Sequence, residues 1–325
     1  MADVGGSEMM QDEQDRARHE LLLRLAPRLP DDVVWQARSW LAADHWAHAA
    51  RLITQVFLEW NEPLPPDARE ILLDGADPLT AERVELLEHV DDVSVLLWEF
   101  EPREDETSQR CAEVVRAYLE DQPGTHTAWS AWRTPAGGAP LIARPLHLVE
   151  TQGGMKPHVI AAELADRLWR SGLPSPQVEV FTPDSPLDTY YHAPALVAGR
   201  EIHATGPLPH IELARFDENS EDREPPGPNR DAQLEYLDSG TPLTEEDALV
   251  PDLFEDDEEP VVPVALRTDG TWIWSDLTTH YLRTRGIALP EPFRTHVANA
   301  GPKARIPTRR EWVAMVDLEN APQPA

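Results

Sequence analysis

The chain carries a single cysteine, Cys111, and only two lysines, Lys156 and Lys303, in 325 residues. One thiol excludes an intramolecular disulfide and any cysteine-based zinc site. Its place beside Val114, Val115 and Tyr118 at helical spacing predicts a buried, reduced side chain. No run reaches the roughly 18–20 apolar residues that a spanning helix needs. The polar opening, MADVGGSEMMQDEQDRARHE, lacks the apolar stretch of a signal peptide, so the sequence predicts a soluble, cytoplasmic chain. Positive charge is scarce: 28 Lys and Arg face 59 Asp and Glu, a formal charge of −31. That balance argues against sequence-independent binding to nucleic-acid phosphates or to an anionic membrane surface, both of which require a basic excess. The arginine bias among the basic residues is the pattern of high-GC codon usage. Also missing are the phosphate loop, the G-x-G-x-x-G fingerprint, H-E-x-x-H, the nucleophile elbow and the zinc deaminase signature. The sequence therefore predicts no catalytic residue, no metal site and no cofactor.

What is present supports a folded α+β protein. Hydrophobic residues make up 41%, and eleven are Trp. Over 14–121 the apolar spacing is helical, as in Leu21, Leu22 and Leu25, or Trp46, Ala49, Ile53, Val56, Phe57 and Trp60. Asp31 or Asp32 is the expected cap of the second helix, and Thr80 of a later one. Beyond Gln122–Gly124 the period changes. HTAWSAW and LIARPLHLVE flank the turn cluster RTPAGGAP and read as a hairpin. MKPHVIAAELADRLWRSG reads as a helix, with Pro157 in its first turn and Gly172 past its end. QVEVFTP reads as a strand, and REIHATGPLPHIELARF as one or two more. The expected organisation is a helical domain at 14–121, an α+β domain with antiparallel hairpins at 124–300, and a C-terminal extension at 301–325 with a short helix. Residues 217–260 hold seventeen Asp and Glu against Arg223 and Arg230. With so few apolar side chains to offset an ordering entropy of about 1–2 kcal/mol per residue, this stretch is expected to be an unstructured acidic insertion, with a short helix at Thr244–Leu249 at most.

Several groups of residues have chemical potential. Gly153 and Gly154, with Lys156 at the start of a helix, form a weak anion-binding candidate, opposed by Glu150 close by. His45 and His48 share a helix with Asp44 in front and His89 as the nearest further ligand, without a metal-binding pattern. Tyr190, Tyr191, His192 and His203 supply groups for acid–base work without a recognisable triad. A small-molecule enzyme would need Lys156, His158, Tyr191 and His192 to converge on one pocket.

The stretch RTDGTWIWSD has the most specific geometry. A two-residue turn at Asp269–Gly270 pairs Arg267 with Trp272 and Leu266 with Ile273. Leu266, Ile273 and Val264 then share one face, and Arg267, Ala265, Trp272 and Trp274 the other. Ser275 caps the next helix. Two exposed Trp, each burying about 150–250 Å², would make an unusually large apolar patch. Either the chain covers Trp272 and Trp274 itself, which is the expected outcome, or Arg267, Trp272 and Trp274 form a partner-binding platform.

RTDGTWIWSDLTTHYLRTRGIALPEPF resembles a C-terminal segment that recurs in uncharacterised actinobacterial proteins, with a TDG-W-W strand turn, a Y-L helix and a G-x-x-x-P exit. LAPRLPDDVVWQARSWLA is similar to helical segments of the same proteins. Some of them accompany toxin or conflict systems, so the resemblance implies an immunity or adaptor role and carries no catalytic residues across. With the acidity, it leads to the expectation of a non-enzymatic interaction module for a basic protein partner. The alternatives are the small-molecule enzyme above and a structural subunit of a larger assembly.

Overall fold

A computed structural model describes residues 4–88, 97–136, 143–154, 156–244, 248–255 and 259–320. It has the α+β architecture expected from the sequence, in two compact units, Met1–Gly206 and Pro207–Ala325.

The first unit begins with five helices, α1 (Val4–Leu25), α2 (Asp31–Ala42), α3 (Trp46–Trp60), α4 (Pro66–Leu73) and α5 (Pro78–Val84). Leu21, Leu25, Val34, Ala37, Trp46, Ile53, Phe57 and Leu72 close around one core. Strand β1 (Trp98–Glu101) and helix α6 (Glu106–Glu120) follow. The long strands β2 (Thr125–Pro135) and β3 (Arg144–Gln152) pair antiparallel, and helix α7 (Pro157–Arg170) connects β3 to β4 (Gln177–Phe181), which lies parallel to it. Helix α8 (His192–Ala198) leads to β5 (Arg200–Ala204). On the edge of β2 away from β3, β5 pairs with its first half and β1 with its second.

Register assigns the two sheet faces. Ala128, Val149 and Val180 stand side by side, and pack with Cys111, Val115, Ile160 and Leu164 of α6 and α7. Trp129, Leu148 and Glu179 stand on the opposite face.

The sequence divides at 121/124, whereas the chain divides after Gly206. The reason lies in α6 and β1, which read as the end of a helical domain but belong to the sheet. Cys111, Val115, Tyr118 and Leu119 are built into the sheet core, and β1 is a sheet strand. Helices α1 and α2 are also tied to the sheet by polar bonds, His19 to the Val180 carbonyl and Arg38 to Glu179.

The second unit comprises β6 (Glu212–Ala214), α9 (Pro228–Asp238), β7 (Thr241–Pro242), β8 (Leu249–Pro251), β9 (Pro260–Pro263), β10 (Leu266–Thr268) and β11 (Trp272–Ser275). Helices α10 (Asp276–Arg285), α11 (Glu291–Ala300) and α12 (Arg309–Asn320) complete it. One sheet has the order β6-β11-β10-β7, with β6 and β11 parallel, and β8 and β9 form a separate ribbon. In place of an unstructured insertion, the described part of 217–260 contains α9, β7 and β8 and enters β9. Three apolar side chains explain this. Tyr236 and Leu237 are fully buried and Leu234 packs beside them, so α9 anchors a segment whose mean composition is polar. Of the proposed helix at Thr244–Leu249, residues 245–247 lie outside the described residues, and β8 begins at Leu249.

Candidate functional site

The aromatic platform is taken by its own chain. Trp272 and Trp274 are 7% and 1% exposed, both packed at a tilt against Phe293, with Tyr236 also on Trp274 and His296 on Trp272. A Cβ on Gly240 would stand 2.2 Å from the Trp274 ring, so the chain meets that indole where only a glycine fits. Arg267 does not stack on Trp272; it pairs with Asp276 at 2.7 Å and donates to the Gly240 carbonyl. None of the three presents an open partner platform.

The hairpin register differs from the expected one by two residues, with Arg267 opposite Trp274 and Thr268 opposite Ile273. The turn is centred on Gly270–Thr271, and Gly270 has φ +88° while Asp269 and Thr271 do not adopt positive φ. This is the requirement of a type II′ turn, where the first central residue is the glycine. Asp269 selects it: one carboxylate oxygen accepts from the Thr271 and Trp272 amides, each at 2.8 Å. The other accepts from the Tyr236 hydroxyl at 2.5 Å and meets His296 Nε2. Burial opposes the charged form of Asp269, but these donors outweigh it and hold the carboxyl below its ordinary range. Because a shift of two preserves parity, the two faces keep their expected membership. The TDG-W-W segment is thus a structural staple joining α9, α11 and the hairpin.

The glycine turn near α7 is also explained by packing. Gly153 and Gly154 have φ +69° and +87°, and a Cβ on Gly154 would stand 2.2 Å from the Pro123 carbonyl. Lys156 binds Asp12 at 2.5 Å. These contacts account for the turn without an anion. Lys156 and His158 do line a cavity of about 260 Å³ together with His19, Arg16, Thr182 and Asp184. Tyr191 and His192 do not line it, so the four groups required for the enzyme reading are not brought together. Tyr190 and His203 are also absent from its lining, and Tyr190 is exposed.

Tyr191 and His192 belong to a buried polar network that sequence reading missed. Asp31 does not cap α2; its carboxylate receives Arg133 on one oxygen and Arg144, at 3.0 Å, on the other. Arg133 also donates to the Tyr191 hydroxyl and lies over the Trp98 ring. Next to it, Arg38 binds Glu179 at 2.5 Å, and His192 faces the same carboxylate at 3.7 Å. A cleft of about 920 Å³ opens beside Asp31 and Arg133, with the exposed side chains of Trp60 and Leu97 in its lining. Of the three arginines in its lining, Arg133 and Arg144 are turned to Asp31 and Arg28 to Glu62, so the polar floor serves the fold. The only sequence signal was the alternation Gln177-Val-Glu179-Val in β4, which reads as a solvated face and is instead closed by α2 and α8.

His45 and His48 lie near each other and near Trp40, on an exposed part of α3 and its cap, and His89 lies outside the described residues. Among the described residues no three His, Cys, Asp or Glu side chains gather to hold a metal ion. Cys111 is buried, and desolvation pushes its thiol up to about 11, away from thiolate chemistry.

The remaining feature is the β8–β9 ribbon. Val250 pairs with Val262, and these two pack on Tyr281 and Ile287. Leu249, next to Val250, and Val261, skipped by the pairing at a register shift, are both about half exposed. Leu253 and Phe254 add exposed apolar surface in the connection, with Arg285 over the Phe254 ring and bound to Asp252 and Glu255. Exposed carboxylates of Asp217, Glu218, Glu221, Asp222, Glu255 and Glu259 belong to the same segment. The described helices include none long and apolar enough to cross a membrane. No protein-family model matches the chain, and no curated protein or solved structure matches it.

Proposed function

We propose that the protein is a non-enzymatic interaction module whose second unit docks a basic protein partner on the outer face of the β8–β9 ribbon. One observation carries this reading: Leu249, Leu253 and Phe254 are exposed within a segment of seventeen Asp and Glu, and Val261 directly after it. Apolar anchors give a partner something to bury, and the surrounding carboxylates select a basic surface and speed encounter. Outside 217–260 the second unit holds nine basic and seven acidic residues, so its negative charge is concentrated in this segment. An immunity-like or regulatory adaptor role agrees with the resemblance of the TDG-W-W segment to proteins that accompany toxin systems.

The test is affinity purification of the full chain from its native lysate, beside the variant Leu249→Asp/Val261→Asp. The expected result is a basic protein at stoichiometric yield with the wild type, absent with the variant and released by salt. Recovery of no stoichiometric partner, or equal recovery by the variant, overturns the reading. Deleting 217–260 is unsuitable, because it removes Tyr236 and Leu237 from the core.

A further inference from the structure

We propose that the cavity lined by α1, the start of α7 and the residues after β4 binds a small zwitterion of α-amino-acid type. This site belongs to the first unit and is independent of the docking face above. Its volume, about 260 Å³, suits a ligand smaller than a drug-sized molecule. Its floor is polar and uncharged. His158 is 6% exposed, lines the cavity and makes no hydrogen bond among the described residues. Burial disfavours its charged form, so the ring offers one donor and one acceptor. His19, beside it, donates from Nε2 to the Val180 carbonyl at 2.6 Å, which leaves Nδ1 as an acceptor without a partner among the described residues. Ser185 is buried in the same wall.

The rim is charged in alternation. Asp12 and Arg16, four residues apart on α1, meet the opposite charges of Lys156 at 2.5 Å and Asp184 at 2.7 Å. Arg16 also meets Glu20 at 2.9 Å. All four partners of the two cross-pairs are about half exposed, so the pairs are weak and readily exchanged. A simple anion taking Arg16 or Lys156 would leave Asp184 or Asp12 without its cation, and a simple cation taking Asp184 or Asp12 would break the same pair without offering the released Arg16 or Lys156 anything in return. A zwitterion replaces both: its carboxylate takes Arg16 or Lys156 while its ammonium takes Asp12 or Asp184. The unpartnered imidazole below then reads the side chain.

Calorimetric titration of the full chain with each proteinogenic amino acid tests this. At least one free amino acid should bind saturably, and its N-acetyl and amide derivatives should each bind about tenfold more weakly or worse. His158→Phe should lose a similar factor. If that variant unfolds, Lys156→Met on the exposed rim takes its place with the same expected loss. The proposal fails if no free amino acid binds up to about 10 mM. It also fails if the blocked derivatives bind as well as the parent, or if the folded variant binds like the wild type.

Discussion

Arg38 and Glu179 form an ion pair at 2.5 Å in which neither side chain reaches solvent. Two desolvated charges hold only while both are present. Removing one leaves the other buried and unpaired, at a cost of about 3–5 kcal/mol. Arg38→Met and Glu179→Leu should each lower the urea midpoint by that measure of stability. The double variant should recover most of the loss, since an apolar pair of similar volume has no charge to desolvate. A double variant as unstable as the singles would show that the pair is not the coupled unit described.

This pair also shows where the sequence was legible. Helical period and turn residues identified the helices within 14–121, the β2–β3 hairpin and α7, because each depends on neighbours within a few positions; they did not identify α8. The α+β class followed. The domain boundary did not, because Arg38 meets Glu179 across 141 positions and no local pattern records such a pairing. At the hairpin, face membership was legible from period two, but the turn centre depended on Asp269 meeting Tyr236 and His296. The exposed ribbon residues escaped because 217–260 was judged by its mean composition, which conceals Tyr236, Leu237, Leu249 and Val250.

His147 is fully buried on β3, and neither ring nitrogen has a partner among the described residues. Burial lowers its pKa to about 4, from an ordinary value near 6.5. The unfolded chain therefore takes up a proton below about pH 6.5 that the folded chain refuses until about pH 4, and stability falls across that window. His19, lowered to about 3 mainly by burial, acts in the same direction. His147→Leu should stabilise by about 1 kcal/mol at pH 8, by removing an unsatisfied polar group. At pH 5 the gain should be larger. Chemical denaturation at both pH values measures the difference, and an equal gain at both would remove the proton-linked part of the account.

Asp269 titrates with the opposite consequence. Its folded carboxyl lies below the ordinary range, so its contribution is complete above the unfolded pKa, near 4, and is lost as pH falls below it. Asp269→Asn keeps an acceptor for the turn amides but loses the charge that Tyr236 and His296 meet. The expected cost is about 1.5–3 kcal/mol at pH 7, the range for a hydrogen bond to a charged group. The variant's acid unfolding should also begin with a shallower slope than the wild type. A cost at pH 7 that persists undiminished at pH 3 would contradict the linkage.

The β8–β9 ribbon makes a prediction that needs no partner. Val261 and Val262 are adjacent, yet Val262 is fully buried against Tyr281 and Ile287 while Val261 is half exposed. A two-stranded ribbon is marginal alone and depends on the face that packs. Val262→Ala should therefore destabilise the protein by about 1–3 kcal/mol through lost burial and a residual cavity. Val261→Ala, like Leu249→Ala on the same outward face, should change stability by less than about 0.5 kcal/mol. Thermal unfolding of the three variants separates the faces. If Val261→Ala cost as much as Val262→Ala, the outward face would be packed by the chain itself, and no anchor would remain for a partner.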